Sequence, residues 1–322
     1  MDKVLEDLGK IGIIPVIKID DPGKAVPLAR ALIAGGIPCA EITFRTAQGE
    51  EAIRRIAAEV PECLVGAGTV LSTDQVDRAL KAGAKFIVSP GYNPKVVNYC
   101  IEKGIPVTPG CSNPSDFEAA LEAGLEVVKF FPAEQSGGID YIKAVAAPYT
   151  SLQFIPTGGI NAGNIGKYLA YDKILACGGT WMVGADLINA GDFAKITALS
   201  KEAVFTMFGF TVVHFGLNAK SEEAAKKGAA LINSLFGFTV KDGNTSVFAG
   251  DYLEIMKLPG APGLNGHIAV ATNTLVRAQA YLERLGITFD PASVKKNAEG
   301  KINVIFAKDE ILGFAWHLLQ KK

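Results

Sequence analysis

The run Val127-Val128-Lys129-Phe130-Phe131-Pro132 sets an amine among apolar, strand-forming residues. In an extended chain residues 127, 129 and 131 project to one face, so the Lys129 side chain is expected among apolar neighbours. Desolvation disfavours an ammonium there. A neutral amine attacks ketones to give Schiff bases, which act as electron sinks for making or breaking an adjacent carbon–carbon bond. The plainer alternative is a strand-end lysine whose stem packs while its head reaches water. Other residues argue for chemistry. In Glu41-Ile42-Thr43-Phe44-Arg45, strand parity puts Glu41, Thr43 and Arg45 on one face, an acid and a planar anion clamp together. The pairs Gly158-Gly159 and Gly178-Gly179 would let backbone N–H groups approach a phosphate closely, although Gly-Gly alone is often only a tight turn.

Such residues need a scaffold that brings distant segments together. Between Ile11 and about Val183 one unit recurs: a short apolar run ending in Gly, Pro or Thr, followed by a helical pattern. Eight runs are expected as strands, at residues 11–17, 39–44, 64–69, 86–90, 105–109, 127–131, 154–157 and 174–177. Helix signals lie between them, such as Ser72-Thr73-Asp74 before Gln75 to Lys81 with Gly83 after, and Asn113-Pro114 before Phe117 to Ala123 with Gly124 after. Eight strand–helix units predict an α/β fold, a compact (β/α)8 TIM barrel. An open doubly wound sheet is the alternative, but no G-x-G-x-x-G opens a helix after the first strand. In such a barrel the chemistry collects at the C-terminal strand ends, with phosphate after strands seven and eight; Lys129, Glu41 and both glycine pairs are expected there.

Residues 1 to about 205 resemble the 2-dehydro-3-deoxy-6-phosphogluconate and 4-hydroxy-2-oxoglutarate aldolases of class I. The resemblance rests on Glu41 to Thr46, Val65-Gly-Ala-Gly-Thr-Val70, Val88-Ser-Pro-Gly91, Thr108-Pro-Gly110, Lys129-Phe-Phe-Pro-Ala-Glu134, Pro156-Thr-Gly-Gly-Ile160 and Gly178-Gly-Thr-Trp181. It implies Lys129 as the Schiff-base lysine and Glu41 as the general acid/base. It further implies Arg45 and Thr69 on the pyruvyl carboxylate, Pro90, Phe131 and Thr157 lining the site, and Gly158, Gly159, Gly179 and Thr180 on the phosphate. Thr180 stands where many relatives have serine, and the hydroxyl is retained. The implied reaction cleaves a small-molecule 2-keto acid to pyruvate and an aldehyde. It requires no cofactor, because the iminium takes the place of a Lewis acid, and the implied assembly is a homotrimer.

The pattern changes after Val183. Ala194 to Met207 reads as a last helix, and from Phe208 strands alternate with two helical segments in a duplicated arrangement. One half runs from Val212-Val-His214 through a helix and Leu235-Phe-Gly-Phe-Thr239 to Val247 to Ile255; the other runs from Gly266-His267 through a helix and Leu285-Gly-Ile-Thr288 to Val304 to Gln320. All three histidines of the chain fall here. Residues 206–322 thus form a second, smaller α+β domain whose halves resemble the paired βαβββ modules of the vicinal oxygen chelate, or glyoxalase-like, superfamily. That resemblance implies a divalent metal held by His214, Glu254, His267 and His317, where a glutamate is commoner at the last position. Three imidazoles and a carboxylate suit Zn, Ni, Co, Fe or Mn rather than Ca. Parity sets Val213 and Phe215 opposite His214, and Leu253 and Ile255 opposite Glu254.

The composition agrees with an ordinary globular protein. The chain has 322 residues, 49% hydrophobic and 20% charged, with a net charge of −1 and no basic run longer than two residues, such as the terminal Lys321-Lys322, so no nucleic-acid partner is expected. The start lacks the layout of a signal peptide and no apolar stretch is long enough to span a bilayer, so a cytoplasmic protein without a membrane partner is expected. Five cysteines without metal-type spacing read as reduced, buried thiols. Three functions stay open: a retro-aldol lyase with a metal-binding appendage, an isomerase or synthase on the same barrel with Lys129 as a proton carrier, and a C-terminal domain that only binds or assembles.

Overall fold

A run that is apolar at every position makes a strand buried on both faces, as in β1 (Ile13–Ile17); β2 (Cys39–Thr43) is likewise buried throughout although it carries Glu41 and Thr43. The computed structural model describes residues 1–258 and 262–321; Lys322, the last residue of the second expected domain, lies outside the described residues. The chain divides into two compact units, Met1–Met207 and Phe208–Lys322.

In the first unit the strands continue with β3 (Leu64–Gly68), β4 (Ile87–Val88), β5 (Val107–Thr108), β6 (Gly110–Cys111), β7 (Val127–Phe130), β8 (Gln153–Pro156) and β9 (Cys177–Gly179). All pair in parallel, in the orders β5-β4-β3-β2-β1-β9 and β6-β7-β8. Pro109, which has no N–H to give to a ladder, separates β5 from β6. Beyond it, a Cβ at Gly110 would lie 2.0 Å from the Pro90 carbonyl oxygen, so only glycine lets the chain turn there. Single bridges, Phe154 to Ile174 and Thr157 to Gly178, join β8 to the β9 side. The result is a curled parallel α/β sheet. The run 174–177 had been expected as its last strand, but Ile174 enters only a single bridge and the strand begins at Cys177.

Helices start and stop where their caps allow. Ser72 Oγ accepts the Gln75 N–H at the start of Thr73–Ala82, which ends on Gly83 at φ 101°. Asn113 accepts the Asp116 N–H ahead of Pro114–Glu122. Each such cap contributes about 1 kcal/mol. Between helices and sheet, Phe86, Phe117, Phe130 and Phe154 are fully buried, with Phe117 edge-on to Phe154 at 5.4 Å. All five cysteines are buried free thiols. Burial pushes those of Cys63, Cys100 and Cys111 up to about 12, away from reactivity.

The second unit is one eight-stranded sheet built twice over. Its first half has β10 (Thr211–Asn218), the helix Glu222–Phe236, β11 (Val240–Asp242), β12 (Ser246–Ala249) and β13 (Leu253–Met256). Its second half has β14 (Gly266–Thr272), the helix Leu275–Arg284, β15 (Lys295–Lys296), β16 (Ile302–Phe306) and β17 (Phe314–Gln320). The order β11-β12-β13-β10-β14-β17-β16-β15 is symmetric about an antiparallel β10–β14 pair, and each half pairs its first and last strands in parallel. Leu235 to Thr239 is not a strand. Leu235 and Phe236 extend the helix, which Gly237 ends in the left-handed conformation at φ 71°. Leu285 to Thr288 likewise follows a helix end, and only Phe289 beyond it bridges to Ala307.

Candidate active site and metal centre

Lys129 and Glu41 come from strands on separately paired parts of the sheet, yet they meet: Nζ lies 3.7 Å from Oε1, with the residues 6% and 3% exposed. The lysine also lies 5.0 Å from the Phe131 ring, so the amine is set between an acid and an aromatic face. Glu41 Oε1 is buried without a hydrogen-bond donor. A buried carboxylate oxygen that accepts no hydrogen bond costs stability and leaves a lone pair able to take a proton from a bound molecule. Glycine makes the placement possible, since a Cβ at Gly68 would lie 2.2 Å from Oε1. Sequence reading had not singled out Gly68; the signal was a glycine inside a strand, which marks close approach.

The remaining candidates are placed unevenly. Thr69 closes β3 at φ 58°, a costly conformation for a β-branched residue and one that clusters at functional sites. Thr157 is buried beside Gly178, where a Cβ would meet its Oγ1 at 2.3 Å. Pro90 and Phe131 are half-buried just past their strands. Arg45 does not share the buried face of Glu41 as parity predicted. β2 ends at Thr43, whose hydroxyl donates to the Ile17 carbonyl at 2.9 Å, and Arg45 sits exposed in the turn beyond. Gly158 and Gly159 have φ of 101° and 78°, Gly179 is buried against Trp181, and Thr180 is exposed.

In the second unit His214 Nε2, His267 Nε2 and Glu254 Oε2 form a triangle with sides of 3.1, 3.2 and 3.3 Å. Donors bound to one transition ion at about 2.0–2.2 Å are spaced in this way. Ser246 Oγ donates to the other Glu254 oxygen at 2.7 Å and orients the carboxylate. Burial pushes the Glu254 carboxyl up, but hydrogen bonds from His214, His267 and Ser246 outweigh it and hold the group below the ordinary carboxylate range. His317, the fourth expected ligand, stands outside this triangle, its ring centroid 5.5 Å from that of His214 and 5.3 Å from that of His267. Burial, with both neighbouring imidazoles, pushes His317 down to about 3 and so keeps it neutral, the form that ligates metals. The buried Nδ1 atoms of His267 and His317 have no protein partner among the described residues. The donor set therefore fits a divalent transition ion, and all four residues line a cavity of about 860 Å³.

Gly216 was not foreseen in this group. It faces His267 across the β10–β14 pair, and a Cβ there would lie 2.0 Å from the imidazole. The bulge between Val212 and His214 shifts the β10–β14 register so that His214 pairs with Ala269, and Phe215, opposite His214 as parity sets it, is exposed.

A buried amine facing a carboxylate on an aldolase-type α/β sheet is the equipment of a lyase that works through an imine. Residues 4–199 match the KDPG and KHG aldolases, and the chain belongs to that family. It is 50% identical over 204 residues to the 2-dehydro-3-deoxy-phosphogluconate aldolase of Treponema pallidum, covering 63% of this chain and 97% of the relative. It is 45% identical over 192 residues to the KHG/KDPG aldolase of Escherichia coli, covering 60% and 90%. The KDPG aldolase of Legionella pneumophila, solved with pyruvate captured as a covalent carbinolamine, superposes with a TM-score of 0.60 at 35% identity, covering 62% and 97%.

Proposed function

We propose that Lys129 is the nucleophile of this class I aldolase and Glu41 its proton carrier, on a complete (β/α)8 barrel. The enzyme is a carbon–carbon lyase. It cleaves 2-dehydro-3-deoxy-6-phosphogluconate to pyruvate and glyceraldehyde 3-phosphate, and/or 4-hydroxy-2-oxoglutarate to pyruvate and glyoxylate. The observation that carries the assignment is the buried Lys129–Glu41 pair at 3.7 Å. The neutral amine attacks the C2 carbonyl, and the carbinolamine loses water to give an iminium. Glu41 takes the proton of the C4 hydroxyl, the C3–C4 bond breaks, and its electron pair moves into the iminium to leave an enamine. The aldehyde departs, C3 is protonated, and water releases pyruvate from Lys129. Arg45 and Thr69 bind the substrate carboxylate in this reading, Pro90, Phe131 and Thr157 shape the site, and Gly158, Gly159, Gly179 and Thr180 take the phosphate. The assembly is a cytoplasmic homotrimer. Among the described residues no helix is long and apolar enough to cross a membrane.

Borohydride with pyruvate is expected to fix one pyruvyl unit on Lys129, read by peptide mass mapping. An adduct on another lysine, or none, ends this assignment in favour of a barrel enzyme that uses Lys129 only to carry protons.

A second reading concerns residues 206–322: a vicinal oxygen chelate, glyoxalase-like module holding Zn, Ni, Co, Fe or Mn through His214, Glu254, His267 and His317. It is supported by the donor triangle and the twofold βαβββ topology. A bound ion would supply Lewis acidity, Ser246 would orient Glu254, and the neutral His317 would complete the set.

A further inference from the structure

The phosphate-binding role given to Gly158 and Gly159 leaves unexplained what orients their peptide groups. Two successive residues with φ of 101° and 78° make a sharp turn, and consecutive N–H groups in such turns form anion-binding concavities. Each carbonyl of the turn is fastened. The Thr157 oxygen accepts the Ala133 N–H at 2.8 Å and the Gly158 oxygen accepts the Glu134 N–H at 3.1 Å. The Gly159 oxygen accepts from side chains instead: Asn161 Nδ2 at 3.1 Å and Asn164 Nδ2 at 3.0 Å. Both amides are fixed in orientation, because Asn164 Oδ1 accepts the Asn161 N–H and Asn161 Oδ1 accepts the Gly163 N–H, each at 2.8 Å. A planar trans peptide sends its N–H opposite to its carbonyl. Fastening the Gly159 carbonyl therefore aims the Ile160 N–H away from the two asparagines. Among the described residues neither the Gly159 nor the Ile160 N–H meets a protein acceptor.

We propose that Asn161 and Asn164 are positioning residues for the substrate phosphate: they hold the Gly159 carbonyl so that the Ile160 N–H stands ready as a donor to it, beside the Gly159 N–H, which the Glu134 N–H orients through the Gly158 carbonyl. This deepens the phosphate site proposed above and rests on that reading. The first two carbonyls of the turn are held by main-chain N–H groups, which any sequence supplies. The third depends on these two side chains, so the asparagines are where sequence can tune affinity for a phosphorylated substrate.

The test is the double variant Asn161→Ser, Asn164→Ala, in which the serine hydroxyl still accepts the Gly163 N–H while both amide donors are gone. KM for the phosphorylated substrate is expected to rise roughly tenfold to a hundredfold, the loss when a hydrogen bond to a charged group is misdirected. Inhibition by inorganic phosphate should weaken by the same factor. Borohydride trapping of pyruvate, which carries no phosphate, should proceed at the wild-type rate. Gly159→Val tests the underlying site. If it raises KM for the phosphorylated substrate while the asparagine variant changes neither KM nor phosphate inhibition, the positioning role is overturned and the phosphate site stands. If Gly159→Val also leaves that KM unchanged, the phosphate site falls and the positioning role with it. Equal losses in trapping and in cleavage by the asparagine variant overturn the inference too, because the damage is then general.

Discussion

A missing methyl group decides whether Glu41 can reach Lys129. Gly68→Ala would push a Cβ to 2.2 Å from the carboxylate oxygen, and since Glu41 is buried it can yield only by turning away from the amine. Trapping of pyruvate on Lys129 should survive in Gly68→Ala while cleavage slows by roughly 10²–10⁴-fold, the contribution of a positioned acid/base. Adding Glu41→Gln should then cost little more, since residues acting as a unit are non-additive. A fully additive double variant would show that Gly68 acts through something other than Glu41. Lys129 was legible in the sequence because a charge inside an apolar run is anomalous in itself. Gly68 was not, because its neighbour lies on another strand and only the Thr43–Gly68 register brings them together. Arg45 was misplaced for a related reason: parity holds only while the strand lasts, and β2 stops at Thr43.

Strand pairing places the candidate metal ligands, as it does Lys129 and Glu41. The antiparallel β10–β14 pair sets Gly216 against His267, and the parallel β14–β17 pair sets Ala269 against His317. Gly216→Val should displace the His267 ring and weaken zinc binding at least roughly tenfold, the scale on which disturbing a ligand's support acts, measured by calorimetry on the full chain against His214→Ala. Zinc binding equal to wild type in Gly216→Val would remove His267 from the ligand set. The duplication itself was readable, since histidines recur at equivalent places in two halves. The connecting segments were not: Leu235-Phe-Gly-Phe has the apolar density of a strand, and only the Gly237 cap shows that the helix runs on through it. The bulge at Val213 was equally invisible, because it is a property of pairing rather than of composition.

Over the whole chain, the proposed iminium gives cleavage an electron sink that needs no ion, so the metal should matter to the stability of one unit and not to turnover in the other. Chelation is expected to lower the unfolding temperature of the Phe208–Lys322 unit, by the loss of about 2.7 kcal/mol if the ion stood at a hundred times its Kd, with pyruvate release unchanged. Loss of cleavage on chelation, with the first unit still folded by circular dichroism, would show that the two chemistries are coupled. The broad division of the chain was legible because the strand–helix period breaks off after Val183, whereas the split of strand five at Pro109 was not. That split has a further meaning. Glu41 belongs to the six-stranded arc and Lys129 to the three-stranded one, so neither arc alone contains both members of the proposed catalytic pair. On that proposal turnover is a report on closure of the curl: during synthesis or refolding, a chain that has completed either arc should be chemically silent, and the first catalytic event should mark the moment the two arcs join.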